Sequence, residues 1–171
     1  TNGSLVKVAD YVNDLEATIV LAPFTQEVEK VSQTGIGVTL NDTLKNPRSS
    51  DEGNTAGVSV RNSETILGNL ITDGMLTKAR EFEEDIILAL QNGGGIRASL
   101  DVGPVTLGEV RNVLSFGNTL AIMEITGTDL KEALEWSLRE YPKENGGFLH
   151  IAGGKVEFDS SKPVGERVIN I

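Results

Sequence analysis

The chain contains no cysteine and a single histidine, His150. Without thiols there is no disulfide, no thiol nucleophile and no thiolate zinc site, and one imidazole cannot build a histidine-rich metal centre. Aromatic residues are few, at 5% of the chain. No stretch approaches the run of about 18 apolar residues that a membrane span requires. Basic residues are outnumbered too: 15 Lys and Arg stand against 25 Asp and Glu, a net charge of −10. That balance disfavours general nucleic-acid binding, which is driven by phosphate neutralisation, so an anion bound here must be met by a local basic pocket. Nothing near Thr1 has the charge and apolar pattern of a signal peptide, and the chain does not open on Met, so a processed or trimmed start is expected.

What remains describes one globular domain with a real core, 171 residues long, 39% apolar and 23% charged. Leu5, Val8, Val12, Leu15 and Ile19 recur at spacings of three and four, which predicts a helix over residues 4–21 ended by Pro23. Residues 27–40 alternate around Gly35 and Gly37 and read as two short strands with a bend. The polar stretch 41–57 is a loop and the best boundary, placing a connector helix and strand region in 1–52 and the main domain in 53–171. A helix over 64–78 follows, with Ser63 as its expected N-cap and Arg61 just ahead of it.

Thr106-Leu-Gly-Glu109 and Thr126-Gly-Thr-Asp129 have capping-box spacing and open two further helices, the first ending near Leu114 and the second running to Tyr141 before Pro142. Gly103-Pro104 reads as a turn. Strands are expected at 119–125, 148–152, 155–159 and 167–171. The last reaches the terminal residue in mid-pattern, so the chain is expected to continue. Alternating helices and strands define an α/β (α+β) class with a mixed sheet flanked by helices.

The stretch most suggestive of chemistry is Asp85 to Arg97, D-I-I-L-A-L-Q-N-G-G-G-I-R. The apolar run 86–90 reads as a buried strand that breaks into three glycines with an arginine beyond. Such a run can turn its amides toward one point, and oriented amides beside a guanidinium suit phosphate or carboxylate. A glycine-rich turn with a surface arginine fits the same letters. Phe116, between Ser115 and Gly117, is either a core plug or a ring offered for stacking on a base. His150 lies among apolar residues and reads as a core or edge histidine rather than a general base. Asp85, Asp101 and Glu109 are scattered across turns and helix starts, so no acid pair is assigned. A binding surface without catalytic machinery results.

Five ordered blocks carry a resemblance: R-N-S-E-T-I-L-G-N-L-I-T-D-G-M at 61–75, N-G-G-G-I-R at 92–97, V-L-S-F-G-N-T-L at 113–120, I-T-G-T-D-L at 125–130 and G-F-L-H-I-A-G-G at 147–154. Together they resemble the C-terminal, substrate-binding domain of the 5'-nucleotidase and 2',3'-cyclic phosphodiesterase family over residues 58–171. The resemblance implies a nucleotide phosphohydrolase acting in nucleotide catabolism. An N-terminal metallophosphatase domain, outside this chain, would hold two divalent metals such as Zn or Mn and carry out the chemistry. No cofactor and no catalytic or metal-ligating residue is then assigned to this chain, which would be inactive alone.

The implied substrate-binding set is Arg61, Asn92, Gly94, Arg97, Phe116 and Asn118, and the implied ligand is an AMP-like nucleotide. Arg61 matches an arginine that contacts anionic groups, Asn92 and Arg97 match the glycine-rich motif's substrate contacts, and Phe116 matches one of two rings that sandwich the base. The second ring belongs to a downstream G-G-D-G region that this chain does not reach. The usual P-F-G-N reads Ser115-Phe-Gly-Asn here, and Gly57 stands where some members carry a second arginine. An extracytoplasmic location is implied by the resemblance alone. Two alternatives stay open: a non-catalytic interaction module with a structural glycine turn, or the same family acting on cyclic nucleotides or UDP-sugars.

Overall fold

The computed structural model describes residues 12–171. Helix α1 spans Leu15–Ser32 and strand β1 Gly35–Leu40; α2 is Ile66–Arg80 and β2 Ala89–Asn92. A single 3-10 turn, Gly93–Gly95, separates β2 from β3, Gly103–Thr106. Helices α3, Leu107–Val113, and α4, Gly127–Ser137, precede β4 Leu149–Ala152, β5 Glu157–Phe158 and β6 Val168–Asn170. The α/β class holds, with small sheets flanked by helices. The strands form three two-stranded antiparallel ladders, β1 with β3, β2 with β4 and β5 with β6.

Both capping boxes form: Thr106 and Thr126 each accept from a backbone N–H three residues on, while Glu109 and Asp129 return to the cap's own N–H. Each box satisfies donors at a helix start that would otherwise have no partner, which is why the motif fixes those boundaries so well. Several other boundaries move. Pro23 lies inside α1, and the helix continues to Ser32 through residues expected to be strand. Proline deletes one N–H and one ladder bond, but the turns on either side keep theirs. The far end of α1 docks where Ser32 lies against Gly108 and Leu107 N–H donates to Thr34 O at 2.8 Å. Among the described residues α1 starts at Leu15 rather than running through residue 12, because Asp14 caps it by accepting from Ala17 N–H at 2.8 Å, and the expected helix before residue 12 lies outside the described residues.

The region 27–40 supplies one strand rather than two, bent at Gly37, where φ is +79° and the register with β3 shifts. Gly103-Pro104 is not a turn but the start of β3, paired with Leu40 and Thr39. Helix α2 begins two residues later than expected because Thr65, not Ser63, accepts the capping bond from Gly68 N–H at 3.1 Å. Ser63 instead closes a tight turn, its N–H donating to Ser59 O at 2.8 Å. Strand β2 starts at Ala89, not Ile86, because only Ala89–Asn92 find partners in Leu149–Ala152. The stretch 119–125 has no ladder partner and leaves Ile122 and Met123 exposed, so the strand expected there does not form. Helix α4 ends at Ser137 rather than Tyr141, and turns carry the chain on to Pro142.

The cluster that positions the site comprises Val60, Leu67, Ile96, Leu100, Val105 and Val113, with Leu40 and Leu44 packed against it. A second cluster joins Leu130, Leu134, Leu138 and Val168 beneath Phe148 and Phe158. Glu135 is buried there, and its carboxylate accepts from the backbone N–H groups of Arg167 at 3.0 Å and Val168 at 2.6 Å, tying β6 to α4.

Candidate functional site

The two family-motif arginines each follow a fully buried aliphatic residue. Val60 and Ile96 are both 0% exposed and belong to the same core cluster. Burying each contributes about 1.5–3 kcal/mol. Ile96 is in extended conformation at φ −88° and ψ 113°, so successive side chains point to opposite sides and Arg97 is sent outward. Arg97 N–H donates to Val113 O at 2.8 Å, which secures the backbone at that point. Core burial therefore aims the cation.

Arg61 sits in the tight turn 57–63. Asn62 organises that turn from within: its Oδ1 accepts from Ser59 N–H at 2.8 Å, and its Nδ2 donates to Gly57 O at 3.0 Å and Pro142 O at 2.9 Å. The carbonyls on either side of Arg61's N–H and Cα are both held by the 145–150 segment: Asn145 N–H donates to Arg61 O, and His150 Nε2 donates to Val60 O, each at 2.9 Å. Arg61 Nε is buried without an acceptor among the described residues. A desolvated guanidinium N–H left unpaired is costly, and an anionic ligand is the natural partner for it.

The glycine run works differently from an amide nest. None of Gly93, Gly94 and Gly95 has positive φ. Gly93 N–H donates to Phe148 O at 2.7 Å, Gly94 N–H to Gly146 O at 2.9 Å and Ile96 N–H to Gly93 O at 3.2 Å, so these amides are already committed within the protein. What the run provides is close approach: a Cβ on Gly93 would lie 2.1 Å from Val60 O, one on Gly94 2.8 Å from Gly146 O, and one on Gly95 2.4 Å from Gln91 Nε2. Glycine is required because three backbone segments meet here. The Gly93 and Gly94 amides are therefore not free to face a ligand.

Asn92 is exposed beside this turn, its Nδ2 donating to Gly146 O at 2.9 Å and its Oδ1 accepting from Gln91 Nε2 at 3.1 Å. Arg97 lies over the Phe116 ring, 5.6 Å from its centroid, and Phe116 is 61% exposed in the turn closed by Gly117 at φ +63°. The ring is therefore not a core plug. With Asn118 and Gly95 it borders an open apolar groove of about 580 Å³ that also takes in Leu70 and Leu114. Arg61, Asn92, Gly94 and Arg97 thus gather around the 93–97 turn and the 145–147 segment, Phe116 joins through Arg97, and Asn118 lies along the groove.

Sequence reasoning overlooks Arg48, Glu144 and Asn145. Arg48 and Glu144 are brought in by tertiary folding and carry no motif. Asn145 has a local signal, lying just before Gly146-Gly147, and it bonds Arg139 Nη2, Ser137 O and Gly147 N–H. Burial opposes ionisation of Glu144, but the Ser49 N–H, the Ser59 and Ser49 hydroxyls and the Arg48 charge together hold its carboxyl below the usual range.

His150 is 3% exposed, packed edge-on against Phe148, with Nδ1 unpartnered. Its reading as a core histidine stands. Burial pushes its basicity below the ordinary value of 6.5, outweighing the bond to Val60 and the charge of Glu64. Because the folded protein resists protonation that the unfolded chain accepts, the stability this residue contributes is full above about pH 6.5 and lost as pH falls below it. Urea midpoints at about pH 7.5 and about pH 5.5 should therefore separate more for the natural protein than for His150→Gln, whose amide can still donate to Val60 O. A parallel loss in both would assign the acid sensitivity to other groups.

Fold and site together define an α/β domain that sets arginines and an exposed aromatic ring around a glycine turn. Its family is shown by comparison: residues 23–171 match the model of the 5'-nucleotidase C-terminal domain, and the chain belongs to that family. It is 47% identical over 112 residues to the trifunctional nucleotide phosphoesterase protein YfkN of Bacillus subtilis, covering 66% of this chain and 8% of that protein. It is 33% identical over 121 residues to the human 5'-nucleotidase, covering 66% of this chain and 21% of the relative. Among solved structures, the 5'-nucleotidase precursor of Thermus thermophilus superposes with a TM-score of 0.76 at 40% identity, over 91% of this chain and 28% of that one. The chain thus spans a quarter or less of the curated relatives named here, and just over a quarter of the solved one.

Proposed function

We propose that this chain is the nucleotide-holding domain of a phosphoric ester hydrolase, presenting an AMP-like substrate to a metallophosphatase domain elsewhere in the same polypeptide. The observation that carries this reading is the pairing of a buried, acceptor-less Arg61 Nε with Arg97 poised over an exposed phenylalanine face. Guanidiniums suit phosphate, and an exposed ring suits a nucleobase. The site residues are Arg61, Asn92, Gly94, Arg97, Phe116 and Asn118. In this scheme residues 53–171 do the binding and residues before 53 connect it to the rest of the molecule.

The site's contribution to rate is positioning. Divalent metals such as zinc or manganese would supply Lewis acidity in the other domain. The residues present here do not fit them: among the described residues no three His, Cys, Asp or Glu side chains gather into a ligand set, and no step is routed through a metal in this chain. An extracytoplasmic setting is part of the proposal, supported by relatives that include snake venom 5'-nucleotidases; no helix among the described residues is long and apolar enough to cross a membrane.

In the full-length protein, Arg97→Ala should lower kcat/KM for AMP by about 1.5–3 kcal/mol, the size of a lost charge-assisted bond. Unchanged kinetics would remove Arg97 from the site. The 171-residue chain alone, given Zn²⁺ or Mn²⁺, should leave AMP intact; turnover at an enzyme-like rate would contradict the division of labour.

A further inference from the structure

We propose that Asn145 is a positioning residue of the nucleotide site, the pin that fixes the turn carrying Arg61 against the turn carrying Asn92 and so sets how tightly a nucleotide is held. The inference rests on the functional reading above and goes beyond its residue set. Both turns hang from one short segment, 145–150. Asn145 N–H donates to Arg61 O at 2.9 Å, and Gly146 O accepts from Gly94 N–H and from Asn92 Nδ2, each at 2.9 Å. Phe148 O accepts from Gly93 N–H at 2.7 Å, and His150 Nε2 donates to Val60 O at 2.9 Å. These bonds reach the two turns from backbone atoms of 145–148 and from one imidazole. Where the segment lies therefore decides where Arg61 and Asn92 stand.

What places the segment is the buried side chain of Asn145. Its Nδ2 donates to Ser137 O at 3.1 Å, while its Oδ1 accepts from Arg139 Nη2 at 3.1 Å and from Gly147 N–H at 2.9 Å. Asn145 O accepts from Phe148 N–H at 2.9 Å, which closes the turn 145–148 across Gly146 and Gly147. Ser137 is the last residue of α4, and its Oγ accepts from Leu149 N–H at 2.8 Å, so the helix end grips the segment twice. Arg139 is a fixed donor because Trp136 O accepts from its Nη1 at 2.7 Å and its guanidinium lies 4.2 Å from the centroid of the Trp136 ring. Helix α4 is anchored in the second core cluster through Leu130 and Leu134. A continuous set of contacts thus runs from that cluster through α4 and Asn145 to the turns that carry Arg61 and Asn92. A buried amide bonded in this way is rigid, and its removal leaves a helix-end carbonyl without its donor. Hydrogen bonds weaken steeply with misalignment, so a turn released from this pin holds its ligand less well.

The test is titration of the full-length protein with AMP, under a chelator that prevents turnover, in a double-mutant cycle with Arg61→Ala. Asn145→Ala should weaken AMP about fivefold to fiftyfold. Asn145→Asp keeps both acceptor roles and loses only the donor to Ser137 O; as the milder change it should weaken AMP about threefold or more. With Arg61 already replaced, Asn145→Ala should cost at least about threefold less than it does in the natural protein, because the side chain it aims is gone. Leu76→Ala, in a separate core cluster, is the control for general loosening: it should lower the urea midpoint yet leave AMP affinity within about twofold. Unchanged AMP affinity in Asn145→Asp, equal costs of Asn145→Ala with and without Arg61, or equal weakening by Leu76→Ala would each overturn the proposal and leave the functional reading intact. A natural protein that does not bind AMP would overturn both.

Discussion

Gly68→Ala is expected to lower the stability of the fold by about 3 kcal/mol, although alanine in place of glycine inside a helix ordinarily gains about 1 kcal/mol. A Cβ at Gly68 would lie 2.0 Å from His150 Nδ1 and 2.4 Å from Cε1. The ring cannot swing aside, because Nε2 is bound to Val60 O and Phe148 packs against it in a T-shaped arrangement. Gly74 occupies the same helix with nothing within 4 Å of its added Cβ, so Gly74→Ala should show the ordinary gain. Urea unfolding with unchanged m-values reads the two opposite signs directly. Shifts of the same sign would sink the idea that the imidazole fills the space of the missing side chain. Removing the ring with His150→Ala should make the Gly68→Ala change far less costly, a coupling of about 1–3 kcal/mol in a double-mutant cycle.

Gly93→Ala should cost about 3 kcal/mol or more and should also weaken nucleotide binding, since the intruding methyl would meet Val60 O at 2.1 Å, Val60 C at 3.0 Å and Arg61 Cα at 3.3 Å. All three are backbone atoms, so relief requires moving the turn that carries Arg61. Gly146 is the control: its added Cβ meets only Gly94 Cα, at 3.8 Å. Gly146→Ala should therefore stay within about 0.5 kcal/mol of the natural protein. Thermal unfolding together with AMP titration separates the two variants. If Gly93→Ala remained stable and bound AMP normally, the glycine run could not be serving close backbone approach.

The same contacts explain which parts of this chain can be read from its letters. Capping boxes at Thr106 and Thr126 are local, with both partners within three residues, and they form as the spacing predicts. Arg61, Asn92, Arg97 and Phe116 are legible because their motifs keep them next to the residues that aim them, Val60 before Arg61 and Ile96 before Arg97. Strand limits are not. The alternation at 119–125 is sound strand pattern without a strand beside it, and β2 is only as long as its partner β4. Pro23 counts as a helix stop on its local cost, yet the helix is carried past it and docks at its far end.

By itself the sequence determined the α/β class, the starts of α3 and α4, and the family, because each rests on residues close together in the chain. Tertiary structure alone decided that the three glycines serve close packing, since only the approach of Val60, Gly146 and Gln91 fills the space of their missing side chains, and only Phe148 O and Gly146 O take up the Gly93 and Gly94 amides. It also decided that Arg48, from a loop with no motif, donates to Ile96 O, one residue before Arg97. Charge in a sequence is a sum, but which charges act on one another depends on distance, and distance exists only after folding.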